Sequence, residues 1–224
     1  MRKVAVVCGA GSGIRFGGDK VFATLWGRPV FYWSLKAFED FDEIDEIIPV
    51  VRDEMMDTIL ALCRDYGIKK VKRVVTGGPR RQDSVLNGLE ALEDDALVFV
   101  HDAARPVLRQ SLLKRLNGAF TEGVDGVVPG ISPPDTVKET EDHSVKRTLK
   151  RENLILVQTP QVFLSSTLKR AYTMRDILFT DDASAVEASG GRVVYVEGDR
   201  FNIKVTTRED LIILESIGRQ VCQS

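Results

Sequence analysis

What most narrows the folds open to this chain is a rhythm. Short runs of apolar β-formers recur at VAVVC (4–8), IDEIIPVV (44–51), VKRVV (71–75), ALVFV (96–100) and GVVPG (126–130). Between them lie stretches with helical spacing of apolar residues, at 29–38, 54–66, 82–92 and 111–120. The runs at 4–8 and 96–100 are almost unbroken in apolar residues, the pattern of strands covered on both faces. Alternation of strand and helix implies crossover connections, and so an α/β fold with a mostly parallel sheet and helices on both faces. Pro29 suits a first helical position, and Ser111 suits a helix cap.

The rhythm breaks after Gly130. Residues 135–151, DTVKETEDHSVKRTLKR, alternate polar and β-branched residues about a polar turn at 141–144. This pattern predicts an exposed hairpin with too little apolar surface to stand alone. It reads either as a solvated surface hairpin or as an arm, at about 133–156, that packs on a second copy of the chain. The chain then returns to αβα material and ends in a helix at 208–219. No internal repeat or low-complexity linker interrupts it, so residues 1–224 are expected to form one domain with an arm.

Composition excludes some functions. The formal net charge of -2 argues against a domain whose main task is to coat nucleic acid. Arg147, Lys150 and Arg151 share the hairpin with Glu139, Glu141 and Asp142 and have no aromatic stacking partners, which reads as a mixed solvated face. Cys8, Cys63 and Cys222 lie far apart, as reduced thiols do, and two histidines, His101 and His143, are too few for a multi-histidine metal centre. The apolar run after Met1-Arg2-Lys3 stops at Gly9, too short for a signal peptide, and a cytoplasmic location is expected.

The first strand runs into GAGSGIRFGGDK (9–20). A dinucleotide fingerprint counted from Gly9 meets Ile14 at its last glycine, and counted from Gly11 it meets Phe16. The short-chain dehydrogenase variant meets Arg15 instead. A P-loop needs glycine directly before its lysine, where Asp19 stands, and Ser or Thr after it, where Val21 stands. What remains is a glycine loop with two cations, Arg15 and Lys20, which suits a triphosphate whose charge shifts during reaction. Solvated loop charges are the alternative.

Two further loops follow strand runs and so open toward the same edge of a parallel sheet. In HDAARP (101–106), Asp102 offers one hard oxygen ligand of the kind Mg²⁺ takes beside phosphate oxygens and water. Ala103 and Ala104 allow close approach of a ribose, and Arg105 offers a planar fork for a phosphate. In TGGPRRQDS (76–84), glycine amides could meet a base edge, and Ser84 lies near a helix start, where helix capping is the plainer role.

Taken in order, GAGSGIRF, Lys20, GGPRRQDSVLNGL, HDAARP, PPDTVK, TPQVF, TDDASAVE and NIKVTT resemble the 2-C-methyl-D-erythritol 4-phosphate cytidylyltransferase family over about 4–214. The resemblance implies a Rossmann-like nucleotidyltransferase fold, a homodimer built through the β-arm, and Mg²⁺-dependent transfer of CMP from CTP to methylerythritol phosphate. It further implies that Gly9, Ala10, Gly11 and Gly13 line the CTP, that Gly78 and Ser84 read the cytosine, and that Ala103 lies near the ribose. Arg15 and Lys20 would stabilise charge at the α-phosphate and Asp102 would hold the metal. Arg105, Asp135, Thr136, Thr180 and Lys204 would face the methylerythritol phosphate, with Arg151 reaching it from the partner subunit. The chain departs from the family pattern at Gly9, in the short loop 17–21, and at Pro79, which has no backbone N–H to donate. A sibling enzyme acting on ribitol 5-phosphate shares several of these segments, and an NAD(P)-dependent oxidoreductase is a more distant alternative.

Overall fold

The computed structural model describes residues 1–11, 16–174 and 177–218. Its strands are β1 (Lys3–Cys8), β2 (Thr24–Leu25), β3 (Arg28–Pro29), β4 (Glu46–Val51), β5 (Val75–Thr76), β6 (Leu97–Asp102), β7 (Gly126–Ile131), β8 (Lys138–Glu141), β9 (Ser144–Thr148), β10 (Leu156–Val157), β11 (Gln161–Leu164) and β12 (Val193–Glu197). Its α-helices are α1 (Val30–Glu39), α2 (Met56–Asp65), α3 (Arg81–Glu90), α4 (Gln110–Ala119), α5 (Ser165–Ala171), α6 (Asp182–Ala188) and α7 (Arg208–Ile217).

The main sheet has the order β10-β7-β11-β6-β1-β4-β5, with β12 also paired to β7. Strands β1, β4, β5 and β6 are parallel, as are β7 and β12; β10 and β11 run the other way. Side-chain alternation places the two faces in different cores. Ala5 and Val7 of β1, Ile47 and Val51 of β4, and Leu97 and Phe99 of β6 pack with α1, α2 and α4. Val4, Val6, Ile48, Val50, Val98 and Val100 point the other way, onto α3, α5 and α6. Both faces being covered is why β1 and β6 are apolar at nearly every position.

Cys8 lies opposite Val50 on one side and Asp102 on the other, so β1, β4 and β6 end at one edge of the sheet. The loops that follow these ends build the site. The hairpin β8–β9 also forms as expected, with Asp142 and His143 both in left-handed backbone conformation at its turn.

Several expectations change. The strand expected at 71–75 pairs with β4 only at its ends, through the Val71–Ile47 bridge and β5. As the outer strand it has one neighbour, and between those ends Arg73 reaches sideways to Glu46 and the Ala91 carbonyl. Pro29 caps α1 in extended conformation rather than entering it, because its φ of -59° also fits the short β2–β3 ladder. Arg109, not Ser111, precedes α4 as its cap, in extended conformation, and its side chain pairs with Asp199 instead of capping the helix. Helix α2 is preceded by a 3₁₀ turn at Asp53–Met55. His101 and Asp102, expected in a loop, are the last residues of β6. Helix α7 ends at Ile217, and Arg219 lies outside the described residues.

Candidate active site

At the common strand edge lies a crevice of ≈ 360 Å³ lined by Cys8 to Gly11, Lys20, Val21, Gly78 to Arg81, Ser84, Asp102, Ala104 and Lys204. Its first wall is the glycine segment. The Gly9 amide donates to the Val50 carbonyl at 2.8 Å. A Cβ on Gly9 would come within 3.3 Å of the Phe31 ring and 3.4 Å of Ala103 Cβ. That close packing is a local reason for glycine at this position. The Gly11 carbonyl accepts from Arg52 Nη1 at 3.2 Å, while Arg52 Nη2 holds Asp19 at 2.6 Å. Arg52 therefore ties together the two described ends of the loop. Lys20 opens a 3₁₀ turn, Lys20–Phe22, and lines the crevice. Gly13 and Arg15 lie outside the described residues.

The second wall is the turn into α3. The Gly77 amide donates to the Val51 carbonyl at 2.7 Å, and a Cβ there would lie 2.5 Å from Ala10 Cβ. A Cβ on Gly78 would lie 2.4 Å from Asp83 Cβ, so only glycine fits without a shift. Asp83 accepts from the Arg80 amide at 3.1 Å and closes the helix start as a capping box. Ser84 lines the crevice, and its hydroxyl accepts from the Gly78 amide at 3.0 Å. In this structure Ser84 thus braces the turn that presents Gly78.

The floor is the end of β6. The Asp102 amide donates to Thr159 Oγ1 at 3.0 Å, and that hydroxyl pairs with His101 Nδ1 at 3.1 Å. His101 Nε2 lies 3.1 Å from the Arg105 carbonyl. A carbonyl only accepts, so the ring proton belongs on Nε2 and Nδ1 accepts from Thr159. Burial pushes the His101 imidazole down to about 4, so the ring is neutral at neutral pH. It holds the floor in shape and offers no proton to a substrate.

Three cations surround Asp102. Its Oδ2 accepts from Lys204 Nζ at 2.7 Å, its Oδ1 from Arg81 Nε at 3.2 Å, and Arg105 Nε stands 3.9 Å away. Burial alone would raise the Asp102 carboxyl. Arg81 and Lys204 more than offset that and hold it well below the usual carboxylate range. Lys204 reaches it because the Val205 amide donates to the Ala104 carbonyl at 2.8 Å, docking that segment on the loop after β6. Behind Arg81, the fully buried Asp182 at the start of α6 accepts from both terminal guanidinium nitrogens, at 2.9 and 2.8 Å.

The structure therefore brings together Gly9, Ala10, Gly11, Lys20, Gly78, Ser84, Asp102 and Lys204. Ala103 is fully buried with its Cβ facing Gly9, and Ala104 takes the lining position. Arg105 is not among the lining residues; its Nη1 donates to the Asn202 carbonyl at 2.8 Å, and its buried Nε has no hydrogen-bond partner among the described residues. Asp135, Thr136 and Arg151 stand exposed at the base of the hairpin, where Arg151 Nη1 donates to the Pro134 carbonyl at 2.9 Å. Thr180 is exposed just ahead of Asp181, the cap of α6. Sequence reasoning missed Arg81, Asp182, Thr159 and Arg52. Arg81 carried a local signal, a cation at a helix start beside a strand end, and Thr159 and Asp182 lie in the TPQVF and TDDASAVE segments without a role having been read for them.

Lys20, Arg80, Arg81 and Lys204 line one crevice with the glycine turns of two walls, and Arg81 and Lys204 flank the Asp102 carboxylate, an arrangement that suits a polyphosphate and the charge that develops when it is cleaved. Known proteins agree with that chemistry. The family model described as 2-C-methyl-D-erythritol 4-phosphate cytidylyltransferase matches residues 3–220. Proteins of that name from Dictyoglomus thermophilum and Dehalococcoides mccartyi are similar to this chain. The first is 38% identical, covering 96% of this chain and 95% of the relative. The second is 42% identical, covering 94% and 93%. The crystal structure of 4-diphosphocytidyl-2C-methyl-D-erythritol synthase from Anaerococcus prevotii superposes with a TM-score of 0.85 at 30% identity, covering 96% of this chain and 97% of that one. That of 2-C-methyl-D-erythritol 4-phosphate cytidylyltransferase from Thermus thermophilus gives 0.78 at 31% identity, covering 98% and 100%.

Proposed function

The chain belongs to the 2-C-methyl-D-erythritol 4-phosphate cytidylyltransferase family, transferring CMP from CTP to that substrate with release of diphosphate, and we propose that the crevice at the β1–β4–β6 edge is where it does so. The observation that carries the placement is the gathering of Lys20, Arg81, Lys204 and Asp102 with the glycine turns in one crevice, where Arg81 and Lys204 pair with Asp102. The names of the relatives do not favour the ribitol 5-phosphate alternative, and a nucleotidyltransferase class sets aside the oxidoreductase.

In this reading Ala10, Gly11 and Gly78 line the nucleotide, with Ser84 keeping the Gly78 amide in place. The attacking group is a phosphate monoester with a second pKa near ~6, so it is already mostly ionised at neutral pH and needs no general base. This agrees with a buried, neutral His101 and with the absence of any other histidine at the site. What the step requires is relief of repulsion between two anions and in-line alignment. Lys20 and Arg15 stabilise charge at the α-phosphorus, while Lys204 and Arg105 face the incoming phosphate with Asp135, Thr136 and Thr180. The Arg105 Nε, which makes no hydrogen bond among the described residues and stands 3.9 Å from Asp102 Oδ2, is a donor that a phosphate oxygen would satisfy.

Asp102 is the residue that would hold Mg²⁺. A single ionised carboxylate fits an ion that takes its other ligands from phosphate and water, and among the described residues no three His, Cys, Asp or Glu side chains cluster to make a fuller cage. When bound, the ion neutralises triphosphate charge and orients its oxygens.

The whole chain is read as one nucleotidyltransferase domain that pairs with a second copy through the arm, so that Arg151 completes the partner's site. Support comes from the hairpin itself: every residue of β9 is exposed, Val145 at 62%, although the strand is paired along its length with β8. A cytoplasmic location goes with this reading; among the described residues no helix is long and apolar enough to cross a membrane.

The test is diphosphate release from CTP with Mg²⁺, with and without 2-C-methyl-D-erythritol 4-phosphate, beside ATP, GTP, UTP and ribitol 5-phosphate. Release that needs both CTP and the methylerythritol phosphate is expected. Equal release with ribitol 5-phosphate, or none with any pair, would refute the assignment.

A further inference from the structure

A line of buried polar groups runs from the end of α5 to Asp102, and the reaction as described leaves its far members unused. The Tyr172 hydroxyl donates to Asp182 Oδ1, Asp182 holds both terminal nitrogens of Arg81, and Arg81 Nε meets Asp102 Oδ1 at 3.2 Å. We propose that Arg81, gripped from behind by Asp182 and Tyr172, is a positioning residue for this transfer: it fixes the direction of the Asp102 carboxylate. The inference rests on Asp102 being a working member of the site.

Three features lead there. First, Asp182 is fully shielded from water while the Arg81 side chain it holds is 31% exposed at the crevice, and a carboxylate desolvated in this way is a poor source of stability, since apolar residues of similar volume often do as well. Something other than folding energy accounts for it more naturally. Second, the two-point contact at 2.9 and 2.8 Å fixes the plane of the guanidinium. With one N–H of each outer nitrogen held by Asp182, the direction of Nε–H, the donor that meets Asp102, is set from the protein side before any substrate arrives, and the second N–H of each outer nitrogen is left over. A lysine could carry the charge but could not transmit this geometry. Third, the other Asp102 oxygen is taken by Lys204, so the carboxylate is held at both ends, once by a flexible ammonium and once by a braced fork. Tyr172 and Asp182 do not line the crevice, so they act on turnover only indirectly, and Arg81 is the crevice residue that Asp182 holds.

Arg81→Lys, Asp182→Asn, Tyr172→Phe and the apolar pair Arg81→Met with Asp182→Leu separate positioning from mere structure. Turnover, KM for CTP and thermal midpoint are read for each. Arg81→Lys is expected to lower kcat about 10- to 100-fold, the scale of a misplacement near ~1 Å, with KM for CTP moving far less. Asp182→Asn, which weakens the grip on Arg81, should lower kcat in the same way. Tyr172→Phe should lower kcat about threefold or more while leaving the fold intact, through loss of one hydrogen bond to a charged group. The apolar pair should recover much of the thermal midpoint without recovering turnover. Wild-type turnover in both Arg81→Lys and Tyr172→Phe would overturn the proposal, and so would an apolar pair that regains turnover together with stability. If that pair fails to fold, the two single substitutions still decide. A crystal structure of Arg81→Lys gives a readout free of activity: the Asp102 carboxylate is expected to rotate, and an unmoved Asp102 would refute the positioning role even if the wild type proved inactive on this substrate pair.

Discussion

Acidification should destabilise this protein in a window set by one buried ring. His101 is fully buried beneath the crevice, with Nε2 donating to the Arg105 carbonyl and Nδ1 accepting from Thr159. Phe38 stacks edge-on at 5.5 Å, Asp102 favours the charged ring and Arg105 opposes it. Burial is the largest influence and lowers the imidazole from 6.5 to about 4. Above pH ~6.5 the ring is neutral in both states and contributes no pH dependence. Below that the unfolded chain takes up a proton that the folded protein refuses, so stability falls with pH until the folded ring titrates near 4. Integrating the two titrations puts the loss at about 2 kcal/mol by pH 5 and about 3 kcal/mol by pH 4. For a chain of this size each kcal/mol is worth about 2–4 °C in the thermal midpoint, so a fall of about 4–8 °C between pH 8 and pH 5 is expected from this ring. The assay is thermal or urea unfolding from pH 8 to 5 for the wild type and for His101→Gln, which keeps a donor toward the Arg105 carbonyl and cannot titrate. The difference between the two curves isolates the ring. Parallel curves would show that His101 accepts a proton in the folded protein as readily as in the unfolded one, and the burial argument would fail.

Three further outcomes follow from the geometry. Lys20→Ala should lower turnover about 10²-fold, the cost of removing one preorganised charge partner, and near-full activity would show that its role is misassigned. Gly78→Ala places a Cβ 2.4 Å from Asp83 Cβ and 3.2 Å from its backbone carbon. Overpacking of that kind costs about 1–3 kcal/mol, read as a raised KM for CTP or a lower thermal midpoint, and an unchanged enzyme would mean that the turn yields freely. Shortening the hairpin by removing residues 138–148 should give a monomer by light scattering with little activity, and an active monomer would remove both the arm and the partner's Arg151 from the site.

Much of the fold was legible because local patterns report local environments. A strand covered on both faces has no solvent side to spare for polar residues, and β1 and β6 read accordingly. The β8–β9 hairpin declared itself by polar and β-branched alternation around a short polar turn. The segments carrying Gly9 to Gly11, Gly78 and Asp102 could be placed at one edge, because parallel strands deliver their ends together. Where propensity was weak and tertiary contact decided, the reading slipped: β5 shrank to two residues because an outer strand has a single partner. Pro29 stayed outside α1 because one fixed φ serves both a helix start and an extended cap.

The sequence by itself determined that a parallel α/β sheet would present a glycine loop, a second glycine turn and an Asp-x-x-Arg motif at a common edge, because hydrophobic periodicity and strand direction are properties of short segments. Only the tertiary structure decided which charges meet there. Lys204 lies 102 residues from Asp102 along the chain, and Asp182 lies 101 residues from Arg81. Each pair is joined by the docking of loops and helix starts that share no local pattern. A side chain's charge is written in the chain, but the partner that orients it is chosen by packing.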